Sequence, residues 1–165
     1  MMDISEVVPE RLWMSGSIIG GLAWRERGIN VIVNLEEAND AFMQTLFAAN
    51  QGVYIHAPFH DESEVKDPAL IRALAKLILT FISQGRRVLV HCSAGLNRSG
   101  LVVARVLIEV GCRPVDAVQA VRICRDPNAL CNTVFENWLL KEGPRASVME
   151  TTVIGPDGKE VQSET

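Results

Sequence analysis

His91, Cys92, Arg98 and Ser99 fall within nine residues of one another, inside the stretch Val88-Leu89-Val90-His91-Cys92-Ser93-Ala94-Gly95-Leu96-Asn97-Arg98-Ser99-Gly100. Three apolar residues read as a short buried strand, a polar Gly-containing turn follows, and Leu101 to Ile108 reads as a buried helix. A strand that feeds a tight loop opening a helix makes an anion cradle, because loop amides and the free amides of the first helical turn point inward together. Gly95, without a Cβ, lets the chain turn tightly and approach an anion. Arg98 adds a planar two-pronged donor suited to phosphate oxygens. The backbone of Ser93, Ala94, Gly95, Leu96, Asn97 and Arg98 is thus the expected phosphate-binding loop. Cys92 stands at its mouth, facing a helix N-terminus, amide dipoles and Arg98, surroundings that favour the nucleophilic thiolate. The natural chemistry is in-line attack on phosphorus. Ser99 can hydrogen-bond the sulfur and help it leave in a second step, and His91 can hold the loop through its ring N–H groups.

The run from His91 to Gly100 is similar to the signature His-Cys-x-x-Gly-x-x-Arg-Ser/Thr-Gly of the cysteine-dependent protein tyrosine phosphatases, and the short chain most resembles their dual-specificity branch. Every fixed position is met. The competing reading makes Cys92 one more small core residue, but it leaves the flanking His, Gly, Arg and Ser unexplained. The resemblance implies a hydrolase that removes phosphate from phosphotyrosine and phosphoserine/threonine of proteins through a phosphocysteine intermediate, with no cofactor and no metal.

Expulsion of an alkoxide or phenoxide needs a proton, which a carboxylic acid on a facing loop can donate before acting as base on the hydrolytic water. Asp61, 31 positions before Cys92 and just after the preceding strand, is the choice. It resembles the family's general-acid loop in position and order. Glu62 and Glu64 compete but read as solvated loop charges, and Asp67 is better used as a helix cap. His56 and His60 flank the same loop and read as structural or solvated. Asn34, at a strand end, is implied by the resemblance to brace the signature loop through its side chain.

The elements that must position these groups alternate. Met1 to Glu6 reads as a loose start, and Val7 to Gly16 as a hairpin turning at Pro9-Glu10. A short helix is expected from Gly16 or Ser17 through Arg27, capped by Gly28. Ile29–Leu35 is a β-branched, parallel strand. Ala41 to Asn50 is a helix with Phe42, Leu46 and Phe47 on one face, and Val53 to Ala57 is the next strand. Asp67-Pro68 opens a strong helix along Leu70, Ile71, Leu74, Leu77, Ile78 and Phe81, ending near Gly85. Gly111 closes the signature helix. Arg113-Pro114 opens another, with Val115, Val118 and Val121 inward. Cys131-Asn132 to Leu140 is the last, carrying Phe135, Trp138 and Leu139. The expected fold is α/β: a central, mostly parallel sheet of about four to five strands flanked by helices in three layers, with the catalytic loop at the carboxyl end of its strand. Residues 1–143 are read as one catalytic domain and 144–165 as a flexible C-terminal tail.

With 165 residues, 48% hydrophobic and 22% charged, the chain suits a single core. A net charge of −4 argues against broad nucleic-acid binding. No charged-then-apolar leader and no membrane-spanning run is visible. Cys92, Cys112, Cys124 and Cys131 show neither metal-ligand spacing nor a disulfide framework, which points to a reducing cytoplasm. A monomer acting on a phosphorylated protein, away from membranes, is the expectation. Cys124 and Cys131 can form a redox pair, but buried small residues are the favoured reading. Trp13, Trp24 and Trp138 read as packing residues.

Within the same superfamily, phosphoinositide-directed relatives tend to carry Lys in the loop, and Ser93, Ala94 and Leu96 do not fit that habit. Gly95-x-Asn97-Arg98 resembles the loop of the RNA 5′-triphosphatase branch, against which the acidic chain argues. The lack of the long additions of the larger enzymes implies a shallow cleft open to phosphoserine, phosphothreonine and phosphotyrosine. From other classes, a phosphate-binding module without turnover and a sulfur-transfer or arsenate-reducing enzyme remain. Both are disfavoured by the presence and order of Asp61, Cys92 and Arg98.

Overall fold

Uninterrupted apolar, β-branched runs predict strands buried on both faces, and the chain folds accordingly. The computed structural model describes residues 4–18 and 23–143, with the backbone of 153–154 and 160–161. Its elements are β1 (Ile4–Val8), β2 (Leu12–Ser15), α1 (Ala23–Glu26), β3 (Val31–Asn34), α2 (Ala41–Ala49) and β4 (Val53–His56), then α3 (Pro68–Ser83), β5 (Val88–His91), α4 (Arg98–Glu109), α5 (Pro114–Cys124) and α6 (Thr133–Lys141). The sheet runs β1-β2-β5-β3-β4, with β1 antiparallel to β2 and every other pairing parallel.

Side chains alternate across this sheet as the pleat demands. Leu12, Met14, Val31, Val33, Val88 and Val90 enter a core shared with α3, α4, α5 and α6. Trp13, Ile32 and Leu89 enter a second core on the opposite face with Trp24, Met43 and Phe47. Three layers result. Ser15, His91, Asn34 and His56 stand level across β2, β5, β3 and β4. The loops leaving those four strands therefore meet along one edge, where open α/β sheets bind ligands.

Several local expectations change. The strand at the N-terminus begins at Ile4, paired with Ser15, instead of being a loose start to Glu6. Residues 16–18 are not helical, and only the single turn Ala23–Glu26 is, while residues 19–22 of the expected helix lie outside the described residues. Gly28 does cap that turn at φ +64°, its amide on the Arg25 carbonyl. In α2 the buried face is Met43 and Phe47, with Phe42 72% exposed. Phe42 lies about 100° around the helix from Met43, off the stripe that meets the sheet. Leu77 and Val115 are likewise exposed, and Ala117 joins Val118 and Val121 inside. Asp67 caps α3, accepting from the Leu70 amide at 2.9 Å. The segment read as a tail lies outside the described residues, apart from a two-residue antiparallel pairing of β6 (Val153–Ile154) with β7 (Glu160–Val161).

Charge also lies inside. Arg105 on α4 is fully buried, donating from Nη2 to Glu109 Oε1 at 2.7 Å and standing 3.7 Å from Glu142 Oε2. Glu142 also takes a bidentate pair of bonds from Arg72 of α3, at 2.6 and 2.8 Å. Removing one partner of a buried ion pair leaves a charge without compensation. Glu109→Ala is therefore expected to cost about 3 kcal/mol, read as a lower urea midpoint with unchanged slope.

Candidate active site

The loop between β5 and α4 withholds its amides from the rest of the backbone. The Cys92 amide donates to the Ser15 carbonyl at 3.4 Å, and the next amide to find a backbone carbonyl is that of Leu101, on Asn97 at 2.8 Å. Among the described residues, none between Ser93 and Gly100 does so. Gly95 turns the chain at φ +71°. A Cβ there would lie 2.3 Å from the Gly16 nitrogen, so only glycine fits between this loop and the end of β2. Ser17 donates to the Ser93 carbonyl at 3.0 Å and completes that seam.

Inside the ring Cys92 is buried, its Sγ 3.5 Å from the Ser99 hydroxyl. Ser99, the second residue of α4, is itself fully buried. Arg98 opens the helix and donates from Nη1 to the carbonyls of Leu35 and Phe59, at 3.1 and 3.3 Å. These carbonyls belong to the loops after β3 and β4, so both neighbouring loops orient the guanidinium. Cys92 and Ser99 are thus brought together, and Arg98 opens the same helix between the two neighbouring loops.

Asp61 also arrives. Its Oδ2 accepts from Asn97 Nδ2 at 2.9 Å, and its Oδ1 from Asn132 Nδ2 at 2.6 Å. Asn132 further donates to the Glu62 carbonyl at 2.9 Å and, as N-cap of α6, accepts from the Val134 amide. The acid loop is so pinned to the signature loop on one side and to α6 on the other. Two of its competitors are otherwise engaged: Glu62 pairs with Lys66, and Asp67 caps α3, while Glu64 is exposed. His60 pairs with Glu37 at 2.7 Å, and His56 Nε2 bonds the Glu36 carbonyl at 2.9 Å.

His91 is buried below the loop, its Nδ1 3.2 Å from Glu36 Oε1. Burial outweighs the attraction of Glu36 and drops its pKa from 6.5 to about 4. The neutral ring therefore donates from Nδ1. The other oxygen of Glu36 accepts from the Ser93 hydroxyl at 3.4 Å. The bracing expected of Asn34 comes instead from Glu36. Asn34 spends its side chain on its own loop and on β4, donating to Ala38 O and Tyr54 Oη and accepting from the Glu36 amide, and thereby fixes the residue that does the bracing.

Glu36, Asn132 and Arg125 were missed by sequence reasoning. Arg125 donates to the Gly95 carbonyl at 3.1 Å from the far end of α5. For Glu36 a signal existed: it leaves a parallel strand beside the signature strand, on the edge where sites form. Asn132 was visible only as a helix start. All four cysteines are free. Cys131 is exposed, with its thiol on Asn97 Oδ1 at 3.4 Å, and Cys124 is half-buried, so neither is the buried packing residue expected.

The family model of the dual specificity phosphatase catalytic domain matches residues 22–143. A probable protein tyrosine phosphatase type IVA B of Dictyostelium discoideum is 40% identical over 76 residues, 44% of this chain and 47% of that protein. Protein tyrosine phosphatase PRL-1 of Trypanosoma cruzi is 46% identical over 57 residues, 34% of this chain and 31% of that protein. The chain thus spans less than half the length of these curated relatives. Among solved structures, human DUSP28 superposes with a TM-score of 0.71 at 21% identity, covering 84% of this chain and 90% of that one. PTPMT1 in complex with PI(5)P superposes with a TM-score of 0.65 at 19% identity, covering 82% and 94%.

A neutral buried histidine links stability to pH. Between about 6.5 and 4 the unfolded chain takes up a proton at His91 that the folded chain refuses, so stability falls as pH drops through that window. The contribution is about 3 kcal/mol at most. Urea unfolding at pH 7, 5.5 and 4.5 should show His91→Gln losing less stability over this range than the parent.

Proposed function

We propose that this chain, which belongs to the dual specificity phosphatase catalytic-domain family, hydrolyses phosphomonoesters on proteins through a phosphocysteine intermediate. The carrying observation is the run of unspent amides from Ser93 to Gly100 that follows the buried Cys92, whose sulfur stands 3.5 Å from Ser99, with Arg98 held by the two neighbouring loops. These donors match the equatorial oxygens of a phosphoryl group, whose charge they stabilise as the bonds to phosphorus change.

Cys92 Sγ attacks phosphorus in line and the ester oxygen leaves. Asp61 supplies its proton, then takes a proton from water as that water attacks the phosphocysteine. In this second step the Ser99 hydroxyl, already 3.5 Å away, donates to the departing sulfur. Asn97 and Asn132 keep Asp61 over the loop through both steps, each holding one carboxylate oxygen. The two relatives aligned over part of the chain are named as protein tyrosine phosphatases, which supports a protein substrate. Four free cysteines support a reducing, cytoplasmic setting.

The test uses p-nitrophenyl phosphate without added metal. Turnover should be blocked by vanadate and abolished in Cys92→Ser; vanadate-insensitive turnover, or turnover that survives the substitution, rejects the nucleophile. Asp61→Asn should lower kcat about 100-fold on an alkyl phosphate, with a smaller loss on an aryl phosphate whose leaving group needs no proton. Equal losses on both would remove Asp61 from the role of acid.

A further inference from the structure

Charge is unevenly placed around the cradle. The loops after β3 and β4, residues 35–40 and 57–67, hold seven acidic residues against the single cation Lys66. Their six net negative charges exceed the −4 of the whole chain, so the remainder is net positive. Two of the acids touch the signature loop, one at each end. Glu36 reaches Ser93 at its start, at 3.4 Å, and Asp61 reaches Asn97 at its close, at 2.9 Å. Glu64 is exposed on the second of these loops, and Glu37 is exposed on the first, where it pairs with His60 at 2.7 Å. The cations nearby are engaged: Lys66 with Glu62, Arg98 on two carbonyls, and Arg125 on the Gly95 carbonyl and the Ser5 hydroxyl.

Resting on the phosphatase reading above, we propose that the site selects one class of phosphoprotein: segments in which lysine or arginine stands next to the phosphorylated residue. The amides and Arg98 satisfy one phosphoryl group. Just outside them, on two sides, lie carboxylates. A second phosphate or a flanking glutamate meets like charge there, and a flanking lysine meets opposite charge. Arrangements of this kind set specificity by rejecting wrong partners as much as by attracting right ones. The same rim disfavours multiply phosphorylated inositol headgroups and RNA 5′-triphosphates, which bring extra negative charge to within a few bonds of the reacting phosphorus.

The experiment compares kcat/KM for two phosphopeptides of one sequence, with lysine or glutamate on both sides of the phosphorylated residue. At low salt the lysine peptide should be turned over about tenfold faster or more, and added salt should shrink the ratio. In Glu37→Gln/Glu64→Gln the ratio should fall at least about threefold by the same electrostatics, while turnover of p-nitrophenyl phosphate stays unchanged. Equal rates on the two peptides, with p-nitrophenyl phosphate still hydrolysed, overturn the proposal and leave the phosphatase standing. Faster hydrolysis of a bisphosphorylated inositol headgroup or an RNA 5′-triphosphate than of the lysine peptide also overturns it. Absence of any turnover on p-nitrophenyl phosphate removes both readings together.

Discussion

A backbone that keeps its amides away from carbonyls has no ladder to hold it in place. A loop that presents a run of unpaired N–H groups gains no ladder bonds of its own and must be fixed from outside. Every element along this edge of the sheet contributes. The end of β2 closes on the loop at Gly95 and Ser93, Glu36 holds His91 and Ser93, and Arg125 holds the Gly95 carbonyl. At its far end Asn97 takes bonds from the Asn132 amide and the Cys131 thiol. Ligand affinity here is the reverse side of that arrangement: the donors are aligned before any anion arrives, so binding does not have to order them.

The sheet turns this local requirement into a fold. Ser15, His91, Asn34 and His56 stand level in parallel strands, so four successive exits fall side by side. Arg98 exploits this, for its Nη1 reaches carbonyls on two of those exits that are 24 positions apart in sequence, Leu35 and Phe59. A one-residue slip of β3 would turn Val31 and Val33 from one core to the other and carry Leu35 away from the guanidinium. Core packing and site geometry are therefore held by the same register.

Much of this was legible in the sequence because it depends on short-range chemistry. The signature run, the Asp67 cap and the glycines at positive φ, Gly28, Gly85, Gly95 and Gly111, are set by residues a few positions apart. Uninterrupted apolar, β-branched runs named the strands. What stayed hidden depends on which surfaces meet. Periodicity placed Phe42 among inward residues, but only the docking of α2 on the sheet chooses Met43. Arg105 sits mid-helix in an apolar run, and its counter-ions Glu109 and Glu142 lie one turn and 37 positions away respectively. Asp61 was found by its order in the chain, but its two amide partners come from positions 97 and 132, which no local pattern joins.

Glu142 stands just past the last helical residue of α6, yet it grips Arg72 with both oxygens and faces the interior guanidinium of Arg105. Charge neutralisation thus reaches one position beyond where helical geometry stops. A fragment trimmed at Lys141 would keep every helix and still take from Arg72 its two-pronged carboxylate and from Arg105 the second of its two, whereas any extension fused after Gly143 begins beside an anchor point on α3.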